Sequence, residues 1–265
     1  EEVEDFNIFS PTGTIVGAYL TSKRENAFPI KTYKELESDP LNGITNALSK
    51  VPDQEGVAIQ YIVRSAPASW RNFGLKIVKN MQKGMTLTQA KKGEAGLSWW
   101  STLTESKEDR ERRKQEMSQR KMSQAEEKML QGIENKASKA GMEVNIRLVA
   151  SGASVTGAQA GLNNALQAFS QFNVYEFGNS LETKVPKKKR IIEDFIYRTF
   201  SEKYSLVVNT EEMASLWHLP LSTTETPNIR WMEARTAPAP TNMPTEGLHL
   251  GYNIFRGKKT QVHVT

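Results

Sequence analysis

The sequence predicts an α+β protein: a ferredoxin-like antiparallel sheet with helices on one face, a long charged helical insertion, then a proline-rich linker and a short β-hairpin. Three observations carry this reading. Strand, helix and strand signals recur in that order on either side of residues 104–140. That middle stretch contains no proline and is filled with strong helix formers. The closing residues alternate in polarity around Gly257, as a hairpin does. The expected organisation is an α+β domain over 1–220, a linker over 221–246 and a hairpin over 247–265 that leads into a further domain.

Taken in order, Phe6 and Ile8, then Ile15 and Tyr19, flank a Ser10-Pro11-Thr12-Gly13 turn whose proline and glycine favour reversal between extended pieces. Ser38-Asp39-Pro40 opens a helix, since a cap side chain satisfies orphan N–H groups and proline is harmless at the first helical position. Leu41, Ile44 and Leu48 continue it on one face. Val57 to Val63 is β-branched and almost wholly apolar, which predicts a central strand. Ser69 is read as the cap of a second helix, with Trp70, Phe73, Ile77, Val78 and Met81 on one side.

From Glu105 to Lys139 the spacing predicts one long helix or two. The first half is polar on every side; the second carries a docking stripe, Ala125, Met129, Leu130, Ile133 and Ala137, and Gly141 is read as the stop. Val144, Ile146 and Leu148 alternate with polar neighbours, as in a half-buried strand, and Leu162, Ala165, Leu166 and Phe169 share a helix face. Residues 174–177, 195–200 and 204–208 read as extended. Asn209, with Glu212 three positions on, starts a helix that Pro220 ends.

Composition bounds the chemistry. The chain has 265 residues, a net charge of +5 and no cysteine, so disulfides, thiolate metal sites and cysteine nucleophiles are excluded. No apolar run approaches the ~20 residues that a spanning helix requires, and the expected setting is cytoplasmic. Gly152 to Gly157 sits where a phosphate loop would, but the lysine and hydroxyl that such a loop needs are replaced by Ala158-Gln159. The segment therefore reads as a small-residue turn and a helix start. His218, His249 and His263 lack the spacing of a metal site. No cofactor, metal, catalytic residue or small-molecule substrate is expected.

Basic clusters remain. Lys187, Lys188, Lys189 and Arg190, in a run from Lys184 read as an exposed loop, are candidate contacts for nucleic-acid phosphates or a protein partner. Arg112 and Arg113 in the insertion are further candidates, although Glu108, Asp109, Glu111 and Glu116 interleave with them and favour a salt-bridged helix. Trp99-Trp100 reads as packing at the base of the insertion, with a partner anchor as the alternative.

Several stretches together resemble a known family: Phe28-Pro29-Ile30, Asp39-Pro40-Leu41, Ala58 to Arg64, Glu211 to Pro220, Thr226 to Trp231, Ala237 to Pro244 and Gly247 to Gly257. The series is similar to the region upstream of the motor domain in bacterial type IV secretion and conjugation ATPases, the DNA-translocation or coupling class. The resemblance implies a non-catalytic assembly or adaptor domain at the inner face of the membrane. Its implied partners are neighbouring ATPase subunits, secretion-system components and DNA. The catalytic residues of that family would lie beyond Thr265, so none is carried onto this sequence. The alternative reading is a nucleic-acid-binding module that uses the 184–190 run.

Overall fold

In the computed structural model, which describes residues 8–9, 12–52, 55–92, 112, 120–220, 238–240, 243–244 and 246–264, the chain divides into two units at Thr226 and Pro227. The first contains strand β1 (Thr14–Ser22), helix α1 (Pro40–Ser49), strand β2 (Gly56–Ser65) and helices α2 (Ser69–Gln82), α3 (Leu87–Lys92) and α4 (Gln124–Ala137). Strand β3 (Gly141–Gly152), helix α5 (Val155–Ala168), strand β4 (Leu181–Lys184), helix α6 (Lys188–Ile196), strand β5 (Leu206–Asn209) and helix α7 (Thr210–Leu216) follow.

The strands lie in the order β2, β3, β1, β4, all antiparallel. That is the ferredoxin-like order, with α1 and α5 as the two crossover helices. Strand β3 is the axis. Strand β2 pairs along one side of it; β1 takes the Ile146 to Gly152 half of the other side, and β5 takes Gly141 to Val144.

Period-two alternation gives β3 two buried faces. On the first, Val144, Ile146, Leu148 and Ala150 join Ala18 and Leu20 of β1 beneath Ile44 of α1, Leu162 and Ala165 of α5, and Phe169 just after it. This is the expected core, made where two amphipathic helices cover one side of a sheet. The opposite face presents Asn145, Arg147 and Val149, and α6 lies over it, with Ile191 against Tyr19, Val149 and Tyr204. A third cluster joins Ile77, Val78 and Met81 of α2 to Met129, Leu130 and Ile133 of α4 around Phe28, so the expected stripe docks from Met129 onward, while Ala125 is exposed.

Several local expectations are corrected. Strand β2, expected at the centre, is an edge strand, and β3, expected to be half-buried, is central. Residues 174–177 form a turn, and the strand comes later, at β4. Phe195 and Ile196 end a helix rather than begin a strand. Ser69 is the first residue of α2 and makes no cap bond; the cap position is Ala68. Helix α4 stops at Ser138, before Gly141, which opens β3. The caps Asp39 and Asn209 are as expected, each side chain accepting a backbone N–H in the next turn, and Asn209 with Glu212 completes a capping box; Ser154, not singled out in the sequence, caps α5 in the same way. Phe6, Trp99, Trp100 and all of 104–119 except Arg112 lie outside the described residues, as does most of the connector.

The second unit holds strands β6 (Leu248–Phe255) and β7 (Lys258–Val264), a hairpin as expected. Its turn places both Arg256 (φ 48°) and Gly257 (φ 78°) in the left-handed region, as a type I′ turn requires. Leu248, Leu250, Tyr252 and Ile254 are exposed on it.

The seating of α6 depends on Gly17. A Cβ there would come within 2.9 Å of the Leu148 carbonyl oxygen and of Ile191 Cδ1. The backbone oxygen is fixed by the sheet, so Gly17→Ala should lower stability by about 2 kcal/mol through overpacking. Thermal unfolding with calorimetry checks this.

Candidate functional site

Face two of the sheet is organised by one side chain. Gln60, Arg147 and Tyr19 stand in register across β2, β3 and β1. Arg147 is fully buried, and its guanidinium uses all five N–H donors on its own chain. Nε donates to Tyr19 Oη at 2.9 Å; Nη1 donates to Gln60 Oε1 and to the Asp194 carbonyl, both at 2.6 Å. Nη2 donates to Asn145 Oδ1 and to the Thr199 carbonyl. Tyr19 donates its own O–H to Asp194 Oδ2 at 2.7 Å and stacks on Tyr204 with ring centroids 4.5 Å apart. Burial, with the Asp194 hydrogen bond, pushes the Tyr19 hydroxyl up to about 12. Asn145 exchanges two hydrogen bonds with the backbone of Ser201. The network therefore ties α6 and the 199–201 segment to three strands.

A second buried cation ties down α4. Lys136 spends its three donors on the carbonyls of Phe28 (3.2 Å) and Val207 (2.9 Å) and on Glu212 Oε2 (3.1 Å). Glu212 also accepts the backbone N–H groups of Ile30 and Asn209. Burial pulls the ammonium pKa of Lys136 down, against the opposing pull of Glu212. Beside this pair opens a cleft of about 580 Å³ between α4, α7 and the 29–35 segment. Glu211 at its rim is paired with Lys34 and Lys139, both at 3.0 Å. Burial works to raise the Glu211 carboxyl, but the two lysines outweigh it and hold it below the usual carboxylate range.

Both cations are saturated by internal partners. They act as clamps, and neither keeps a donor for a ligand. The sequence reading missed both. Lys136 carried a signal, since it shares the α4 stripe with Ile133 and Ala137, where a solvated lysine has no place.

The expected contact residues lie on the outside. The 184–190 run is not a loop: Lys184 ends β4, Lys187 is the N-cap position of α6, and Lys188, Lys189 and Arg190 form its first turn. The three lysines are exposed. Arg190 turns back toward Asp194 (3.5 Å) and Ser201 (3.4 Å), and Lys189 lies 3.7 Å from Glu193. Lys187 and Lys188 have no ion pair with a described residue. This is the wrong charge for a helix start, where the backbone dipole favours anions, and no side chain caps it. Arg112 is helical and exposed; Arg113 lies outside the described residues. Of the histidines, His218 bonds Asp39 at 2.9 Å, and His249 faces His263 across the hairpin.

The small-residue segment Gly152 to Gly157 is a helix start, with Ser154 as cap. Among the described residues no group of three or more histidine, cysteine, aspartate or glutamate side chains is placed to hold a metal, and no helix is long and apolar enough to cross a membrane.

The fold and its clamps define an α+β domain with ferredoxin-like strand order, elaborated by helices between β2 and β3 and by α6 on the second face. The chain belongs to the family described as a domain of unknown function, DUF8128, whose model matches residues 1–232. No curated protein and no solved structure matches it.

Proposed function

We propose that this chain is a non-catalytic assembly or adaptor domain of a secretion-type DNA-transfer ATPase, working beside a motor domain at the inner face of the membrane. The resemblance of its segments to the region upstream of such motors suggests the machine. The observation that carries the role is the closed wiring of the core: Arg147 and Lys136 spend every donor on holding helices to the sheet, which suits a rigid platform. What the platform displays is charge that its own fold does not need, on Lys187 and Lys188. Its partners are neighbouring subunits and other components of the secretion assembly.

The reading frame is expected to continue into a P-loop with a Gly-Lys-Ser or Gly-Lys-Thr sequence. The purified 265-residue chain is expected to show no ATP turnover. Turnover abolished by a substitution within the chain contradicts the reading, as does a continuing frame that encodes an unrelated enzyme.

The exposed lysines of α6 favour DNA as one contact. Phosphate binding releases counterions, so affinity for a labelled duplex should fall steeply between 50 and 200 mM salt, roughly as the 0.9 power of salt per phosphate contact. Changing Lys187, Lys188 and Lys189 to alanine should flatten that slope by about three contacts. Fluorescence anisotropy reads both. An unchanged slope removes DNA from the list of partners.

A further inference from the structure

The sheet is unfinished along one line. Strand β1 is paired with β3 from Thr14 to Leu20, but on its other side β4 covers only Tyr19 to Ser22. Beyond Lys184 the chain leaves the sheet at Val185-Pro186, where proline has no N–H to give a ladder, and turns into α6. From Thr14 to Ala18 the outward N–H and C=O groups of β1 therefore meet no strand among the described residues. Such an edge is a template for another backbone.

This edge forms the floor of a groove of about 320 Å³. One wall is Leu162 and Leu166 of α5; the other is Pro186, Lys188 and Ile191. Gly17 and Ala18, at the β4 end, are buried, so the edge is reachable from Thr14 to Val16, in line with β4. Three open residues span about 10 Å at strand rise. The walls are mostly apolar, with Gln159, Asn163 and Thr183 among them, and the end toward α6 carries Lys188, which has no ion pair with a described residue; Lys187 lies just outside.

We propose that this groove takes an extended peptide that adds as a short strand to β1 at Thr14 to Val16, with apolar side chains against the walls and a carboxylate at the lysine end. The backbone ladder supplies affinity, and alternate side chains supply selectivity. The acidic group answers the unfavourable charge at the start of α6. A nucleic acid fits less well: a mostly apolar groove floored by strand-spaced amides reads a backbone of N–H and C=O groups, not phosphates. The inference rests on the reading of the domain as a docking platform, but not on which machine it serves.

The test uses the whole chain and a synthetic probe, acetyl-Thr-Val-Thr-Val-Glu-Glu, followed by amide NMR. Saturable shifts are expected at Thr14 to Val16 and along the Leu162 to Leu166 face. N-methylation at the peptide nitrogens that face β1 should weaken binding about fivefold to tenfold, because one or two ladder bonds are lost. Lys188→Glu should weaken it about fivefold, while Lys79→Glu on α2 leaves it unchanged. The proposal is overturned if millimolar peptide leaves the β1 amides unmoved, if the N-methylated peptide binds equally well, or if a single-stranded oligonucleotide shifts those amides while the peptide does not. A failure here is separate from a failure of the assembly reading, which the continuing reading frame and the ATP assay decide.

Discussion

Replacing Arg147 by methionine should lower the free energy of unfolding by about 3 to 5 kcal/mol, the range for removing one partner from a buried charged network. Methionine fills the space but donates nothing. The carbonyls of Asp194 and Thr199 and the amide oxygen of Gln60 would then sit on a buried face without the donor that now serves them. Since those acceptors belong to α6, the segment after it and β2, the loss should be felt first as loosening of α6. Arg147→Lys should give an intermediate loss, because an ammonium keeps the charge but has three donors in place of a planar fork of five. Urea unfolding of the three proteins, with amide exchange around Thr199 to Ser201, measures both effects. A methionine variant within 1 kcal/mol of the parent would show that the network is incidental.

The second large effect concerns Lys136 and Glu212, and it is asymmetric. Glu212→Gln should cost about 3 to 5 kcal/mol, since it leaves a buried ammonium with only two carbonyls. Lys136→Met should cost less, because the carboxylate keeps the N–H groups of Ile30 and Asn209. The double variant should lie near the Lys136→Met value: with the cation gone, a glutamine carbonyl still accepts one of those N–H groups. The coupling in this cycle should be about 2 kcal/mol or more, against a few tenths for independent sites. Denaturant midpoints for the four proteins give it directly.

How much of this was legible in the sequence depended on whether a signal was local. Asp39-Pro40 and Asn209 with Glu212 were readable because a cap is a contact across one helical turn. The docking stripe of α4 and the apolar faces of α1 and α5 were readable by periodicity. What failed was everything decided by a distant cover. The alternation in β3, with Asn145 and Arg147 between apolar residues, is the pattern of a strand with one wet face. That face is dry because α6, some forty residues later, lies on it and brings its own acceptors. Conversely, the run of β2, apolar but for Gln60, suggested burial on both sides and both edges, yet only β3 pairs with it. The candidate lysines were found as a basic run, but their shared first turn was not, since four basic residues argue against a helix start rather than for one. The open edge of β1 had no sequence signal, because it is set by where β4 ends.

The central claim is that two buried clamps make a rigid platform with one unfinished edge. Native-state hydrogen exchange tests it most directly. The account predicts that amides of Val144 to Ala150 exchange only through global unfolding, while the outward-facing amides among Thr14 to Val16 exchange near the rate of open chain. Equal, strong protection of every β1 amide would contradict it, because that edge would then already be covered.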